Sequence, residues 1–254
     1  MINDTGLSRN GGWKWANPHR KFALSPEDLA DDWTMCERCF YRRIRLGIPS
    51  PAVNDDLASS LANMMSRHFA GRHTDAMGPG VPKGFFYATG HEYQSMPQVV
   101  PGHKWHLVIK GSMHGAIACE DGTYAVCLMR AGTPPPEDVP VLWRQLMAYA
   151  RCLDNSIVDN YDGRRLIRLG LLIFEPRLFV MRCLDGRPIN SFVGGELQWL
   201  EVERDDQAFD RFLGEVLDVL ESPESPEPGP NCENCKFLGA AGGRGYEHGG
   251  DYGR

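Results

Sequence analysis

Two Cys-x2-Cys pairs, Cys36/Cys39 near one end of the chain and Cys232/Cys235 near the other, constrain this sequence more than any other feature. A Cys-x2-Cys turn lets two sulfurs face one centre, and two such turns complete a four-thiolate shell suited to Zn2+ or an iron–sulfur cluster. The pairs stand about 190 residues apart, unlike the compact spacing of a zinc ribbon. A shared site is therefore expected to act as a clasp that pins the end of the chain onto its first helix. The alternative is that Cys36 and Cys39 are core residues and the later pair is incidental or redox-active. Cys119, Cys127, Cys152 and Cys183 sit singly in apolar surroundings and read as small buried hydrophobes. Eight cysteines in 254 residues are too sparse for a disulfide scaffold.

Between the pairs the pattern is that of a mixed α/β domain. Residues 1–23 carry no period and read as an N-terminal arm. Ser25-Pro26-Glu27-Asp28 is a helix start, with a serine cap, an early proline and first-turn acids. The helix is expected to run through Trp33, Phe40 and Ile44 to Gly47. Leu57, Leu61, Met64, Met65, His68 and Phe69 repeat at helical spacing. Residues 72–103 read as a long excursion with one short strand. Strands are expected at 105–109, 113–119 and 124–129, with Glu120-Asp121-Gly122 as a hairpin turn. A helix follows at 139–153, then a strand pair, 166–174 and 178–183, flanking Glu175-Pro176. A strand at 197–202 and an amphipathic helix at 206–220 complete the order. A proline-rich linker, 222–230, delivers the second cysteine pair, and the glycine-rich tail 239–254 is expected to be disordered.

Charge and hydropathy narrow the classes. Hydrophobic residues make up 42% and charged residues 24%, which excludes collagen-like, coiled-coil and wholly disordered chains. No apolar run approaches the roughly 20 residues of a membrane span, and the N-terminus lacks the apolar core of a secretory signal, so a cytoplasmic protein is expected. The net charge of −6 gives no bulk attraction for nucleic acid; any such binding needs its basic residues focused locally.

Five segments, in order, resemble the RecB-like branch of the PD-(D/E)XK nucleases. Cys36-Glu37-Arg38-Cys39-Phe40-Tyr41 is similar to the opening helix, and Asn231–Phe237 to the closing cysteine segment. Gly111-Ser112-Met113-His114-Gly115 resembles the strand that bears the first metal-binding aspartate. Val126–Gly132 resembles the next strand, where an acid and a lysine stand two apart. Gln145 and Tyr149 match a Q-x3-Y helix motif. The resemblance implies a restriction-endonuclease-like core, a mixed central sheet flanked by helices, over 24–238. It implies a groove lined by Arg130, Gln145 and Tyr149 and a 4Fe-4S cluster in some relatives. Those relatives usually divide their cysteines one and three, whereas this chain divides them two and two.

The catalytic positions are altered. Such nucleases hold Mg2+ with carboxylates, but His114 stands at the first acid, Leu128 at the second and Arg130 at the lysine. Histidine is a poor Mg2+ ligand, leucine is none, and arginine cannot carry protons at neutral pH. Mg2+ is expected only if relocated acids restore activity. Glu120 and Asp121 read as turn residues, Glu137 and Asp138 as helix-start acids, and His68 as a helix histidine. Arg144, Arg151 and the Arg38–Arg45 set read as phosphate contacts or as solvated surface. The expected function is a catalytically impaired, nucleic-acid-binding or scaffold component of DNA processing, with DNA (single-stranded DNA included) or a protein as partner. An active nuclease with relocated ligands and a protein-interaction module are the alternatives.

Overall fold

The segment KFAL alternates exposed and buried residues and forms β1, Lys21–Leu24, so the end of the expected arm is a strand. The computed structural model describes residues 21–48, 57–87, 92–113, 115–156, 166–184 and 187–241. Residues 1–20, most of the expected arm, and 242–254, most of the expected tail, lie outside them, as does His114.

Ser25 and Asp28 cap the first helix reciprocally: the Asp28 amide donates to Ser25 Oγ at 3.0 Å, and the Ser25 amide donates to Asp28 Oδ2 at 2.6 Å. The helix opens with a π-helical turn, Asp28–Asp32, and continues as α1, Trp33–Met35. It does not run on to Gly47 as the sequence suggested. Cys36 is extended (φ −176°, ψ 122°) and breaks it before α2, Glu37–Leu46. Gly47 ends α2 in the left-handed region (φ 67°), donating to the Arg43 carbonyl while Ile48 donates to that of Arg42. Arg43 bridges back, pairing with buried Asp28 at 2.8 Å and with Asp32. α3 follows at Leu57–Phe69.

Among its described residues the excursion contains three short strands rather than one: β2, Gly84–Tyr87; β3, Glu92–Gln94; and β4, Gln98–Val99. Each is only two to four residues long, too short for an alternating pattern to reveal it. β5, His106–Ser112, pairs with β1 in parallel and with β3 and β4 antiparallel. β6, Gly115–Cys119, and β7, Tyr124–Ala131, form the expected hairpin, with Met113 outside the strand. α4, Val139–Asp154, crosses over to β8, Leu166–Leu184, which runs parallel to β7.

β8 is one continuous strand through Glu175-Pro176. The expected strand at 197–202 is the end of β9, Arg187–Val202, antiparallel to β8 along its whole length. The larger sheet has the order β2-β6-β7-β8-β9. Beyond it, β8 and β9 continue as a two-stranded ribbon with Leu178, Phe179, Met181 and Phe192 exposed. α5, Asp206–Glu221, and α6, Glu233–Ala241, close the described chain.

β7 explains the two-sided core. Val126 and Leu128 face a cluster shared with Leu146, Phe209 and Leu213 of α4 and α5, while Ala125, Cys127 and Met129 face a second cluster with Phe69 of α3 and Phe86. Alternating residues thus meet helices on opposite faces, as the apolar run Tyr124–Met129 predicts. No helix among the described residues is long and apolar enough to cross a membrane.

Candidate metal centre and adjoining groove

Each cysteine pair sits at a helix start. Cys36 is the residue before α2 and Cys39 lies in its first turn; Cys232 precedes α6 and Cys235 lies in its first turn. The two halves share a backbone pattern, with Phe40 donating to the Cys36 carbonyl at 2.9 Å and Lys236 to that of Cys232 at 3.0 Å. Both helices therefore direct their positive N-terminal ends toward the sulfurs, an environment that stabilises thiolate. The break at Cys36 makes this possible by starting a new helix there.

The four Sγ atoms lie within 4.8 Å of one another and can hold a metal ion. Cys36 stands 3.8 Å from Cys235, and Cys39 stands 3.6 Å from Cys232 and 3.4 Å from Cys235. These separations are well beyond the roughly 2.05 Å of a disulfide, so all four are free thiols. The Gly229 amide donates to Cys36 Sγ and the Asn234 side-chain amide to Cys39 Sγ, both at 3.4 Å. Cys36, Cys39 and Cys232 are buried.

Burial pushes the Cys36 thiol up, but amide donors led by Gly229 outweigh it and bring the group down to about 7. Burial raises Cys39 and Cys235, the latter further through the neighbouring sulfurs. Cys36 therefore ionises more readily than Cys39 or Cys235, as expected where thiols crowd one another and amide donors favour one of them. The isolated thiols behave differently: burial alone holds Cys127 and Cys152 up at about 12.

About 190 residues of intervening chain do not keep the ends apart. Tyr41 Oη donates to the Ser222 carbonyl at 3.2 Å, and Arg45 donates to that of Leu220 at 3.0 Å, so α2 also receives the end of α5.

A cavity of about 260 Å3 opens on the other side of the first helix. Leu128, Arg130 and Gln145 line it together with Asp31 and with Ser59 and Ala62 of α3. Arg130 pairs with Asp138 at 2.9 Å. Tyr149 lies behind the cavity, buried, and donates to Glu27 Oε1 at 2.6 Å, with the Ser112 carbonyl at 3.0 Å as a second acceptor. Gln145 Nε2 donates to the same Glu27 oxygen at 3.2 Å. Gln145 and Tyr149 therefore act on a common carboxylate, with Tyr149 positioning rather than lining. Burial and the negative field of Glu27 raise the Tyr149 phenol, which stays protonated at any ordinary pH.

Sequence reading missed Asp31, which lines the cavity, and Glu27, which holds Gln145 and Tyr149. The signal was the run Glu27-Asp28-Leu29-Ala30-Asp31-Asp32, in which two pairs of acids recur four apart. Asp28 and Asp32 turn inward to Arg43, while Asp31 turns to the cavity. Although Asp31 is exposed by area, crowding by protein raises its carboxyl, with Glu27 adding to the shift and Arg130 opposing it.

The other candidates are placed elsewhere. Glu120 bonds His73 at 3.0 Å and Asp121 accepts from Thr123 in the hairpin turn. His68 is exposed against Phe69. Arg144 donates to Thr34 at 2.7 Å and covers Phe212, while Arg151 pairs with Asp210 at 2.6 Å. Arg43 and Arg45 are held within the protein, so these two members of the Arg38–Arg45 set have structural partners.

No known family's sequence profile matches this chain, and no curated protein matches it. Among solved structures, the crystal structure of SSO0001 aligns with 12% identity over 89% of this chain and 87% of the other, at a TM-score of 0.38.

Proposed function

We propose that this chain is a RecB-like PD-(D/E)XK nuclease-fold protein. In this reading it binds nucleic acid, or scaffolds a DNA-processing assembly, without efficient strand cleavage, and a Zn2+ or 4Fe-4S centre closes its fold. The observation that carries the reading is that Leu128, Arg130 and Gln145 line one cavity. These are three positions that the resemblance alone singled out. The hairpin β6–β7, the crossover helix α4 and the parallel strand β8 form a mixed sheet flanked by helices, which supports the reading.

Leu128 offers no ligand at the floor of the cavity, which argues against a strand-borne Mg2+ site. Arg130 supplies the one strand-borne charge that a phosphate would meet, after exchanging its contact with Asp138. A second reading, an active nuclease with relocated acids, draws on Asp31, whose carboxyl faces the same cavity.

Binding of labelled single- and double-stranded DNA across a salt series, with cleavage assayed in Mg2+ and Mn2+, tests both. Salt-sensitive binding without cleavage is expected, with Arg130→Ala weakening it and lowering the salt slope by about one. Metal-dependent cleavage abolished by Asp31→Asn would select the second reading instead. Absence of both binding and cleavage would remove the nucleic-acid role.

A further inference from the structure

The geometry points to a single tetrahedral zinc ion at Cys36, Cys39, Cys232 and Cys235, in disagreement with the iron–sulfur cluster that the family resemblance brings with it. Four sulfurs bound at about 2.3 Å to one ion stand about 3.8 Å apart along each tetrahedral edge. The separations here are 3.8, 3.6 and 3.4 Å, and no two of the four sulfurs are more than 4.8 Å apart. A cubane cluster distributes its thiolates over four different irons, which spreads them to on the order of 6 Å.

A two-iron cluster fails for a related reason. It would keep the sulfurs of each iron close and separate one pair from the other. Whichever cysteines shared an iron, the two couples would stand apart, yet Cys235 lies close to both Cys36 and Cys39, Cys39 also to Cys232, and all four sulfurs lie within 4.8 Å. One ion must therefore be shared by both halves.

The surroundings fit a small, fixed centre. The Gly229 amide and the Asn234 side chain each donate to a sulfur from the late half of the site onto the early half, and so draw α2 and α6 together. Widening the site to cluster size would break both contacts. Amide donors and two converging helix N-termini offset the double negative charge that four thiolates leave on a divalent ion. Zinc has a filled d shell and no redox chemistry, so the centre is a structural clasp and not an electron carrier.

The test uses the full chain, purified anaerobically from cells supplied with both iron and zinc. Metal and acid-labile sulfide are measured, and the bound ion is then exchanged for Co2+. One zinc per chain, no sulfide, and a cobalt form with the intense visible bands of a tetrahedral thiolate site are expected. Iron with or without sulfide, or a chain that carries no metal, overturns the assignment.

Because Cys232→Ser removes a ligand on which folding depends, the intact chain supplies a second measurement. An organomercurial titration should release zinc in step with modification of the site thiols, whereas release on dilution alone overturns the proposal. None of these readouts involves nucleic acid, so the zinc assignment and the nucleic-acid role can each fail alone.

Discussion

Replacing Arg43 by methionine isolates the ion cluster that shapes the first helix. The substitution keeps most of the apolar stem and removes the guanidinium that bridges Asp28 at 2.8 Å and Asp32. The two carboxylates have side-chain exposures of only 8% and 11% and would be left facing each other without a cation. Breaking a buried pair of this kind costs about 3–5 kcal/mol. Arg43 itself is 38% exposed, so water can partly replace it, and the lower end, about 3 kcal/mol, is expected. At roughly 1.4 kcal/mol per decade, that is more than a hundredfold in the folding equilibrium.

Urea unfolding of the metal-saturated protein, with an unchanged denaturant slope, is the assay. The triple variant Arg43→Met, Asp28→Asn, Asp32→Asn should recover much of the loss, because it leaves no uncompensated charge. A loss below about 0.5 kcal/mol for Arg43→Met, the value of an ordinary surface pair, would refute this reasoning.

Tyr149→Phe should cost about 1.5–3 kcal/mol, because it removes a hydrogen bond to the Glu27 carboxylate. The native phenol is raised above its ordinary value of 10.0 by burial and by Glu27, so its stabilising contribution is full below that pH and is lost above it. The Phe variant should lack this alkaline decline, and urea midpoints measured on both sides of pH 10 decide it. For Asp31, burial raises the carboxyl from 3.8, so its contribution to stability is present below that pH and is lost as pH rises through the folded value. Asp31→Asn should therefore gain on the parent between acid and neutral pH; a variant less stable at neutrality counts against the crowded placement of Asp31.

Much of the fold was legible where one period persists over several turns. The α5 stripe of Phe209, Phe212, Leu213, Val216 and Leu217 and the two-sided run of β7 are local statements of burial, and the structure keeps both. β9 was legible only in its last residues. Asn190, Ser191, Gly194 and Gly195 are weak strand formers that are held by pairing with β8, a contact that local propensity does not encode. Trp199 exploits one such weakness, as its ring occupies the space that a side chain at Gly170 would fill.

The cysteine spacing made the clasp legible, but not the break that builds it. Cys36 lies inside a pattern that reads as one helix, and only its extended backbone reveals two. The groove acids were hidden for a related reason. Glu27 and Asp31 resemble ordinary acids near a helix start, and their partners Tyr149, Gln145 and Arg130 lie about 100 or more residues away in sequence.

Sharing a centre between Cys36 and Cys235, 199 positions apart, also gives the molecule a mechanical character. With an ion bound, tension applied at Cys36 and Cys235 themselves would load the metal–thiolate bonds first. The sheets and helices between them would form a slack loop, shielded from the pull until those bonds part. Between these two points, stretch resistance would then reside in a few coordinate bonds rather than in the packing of the loop they close.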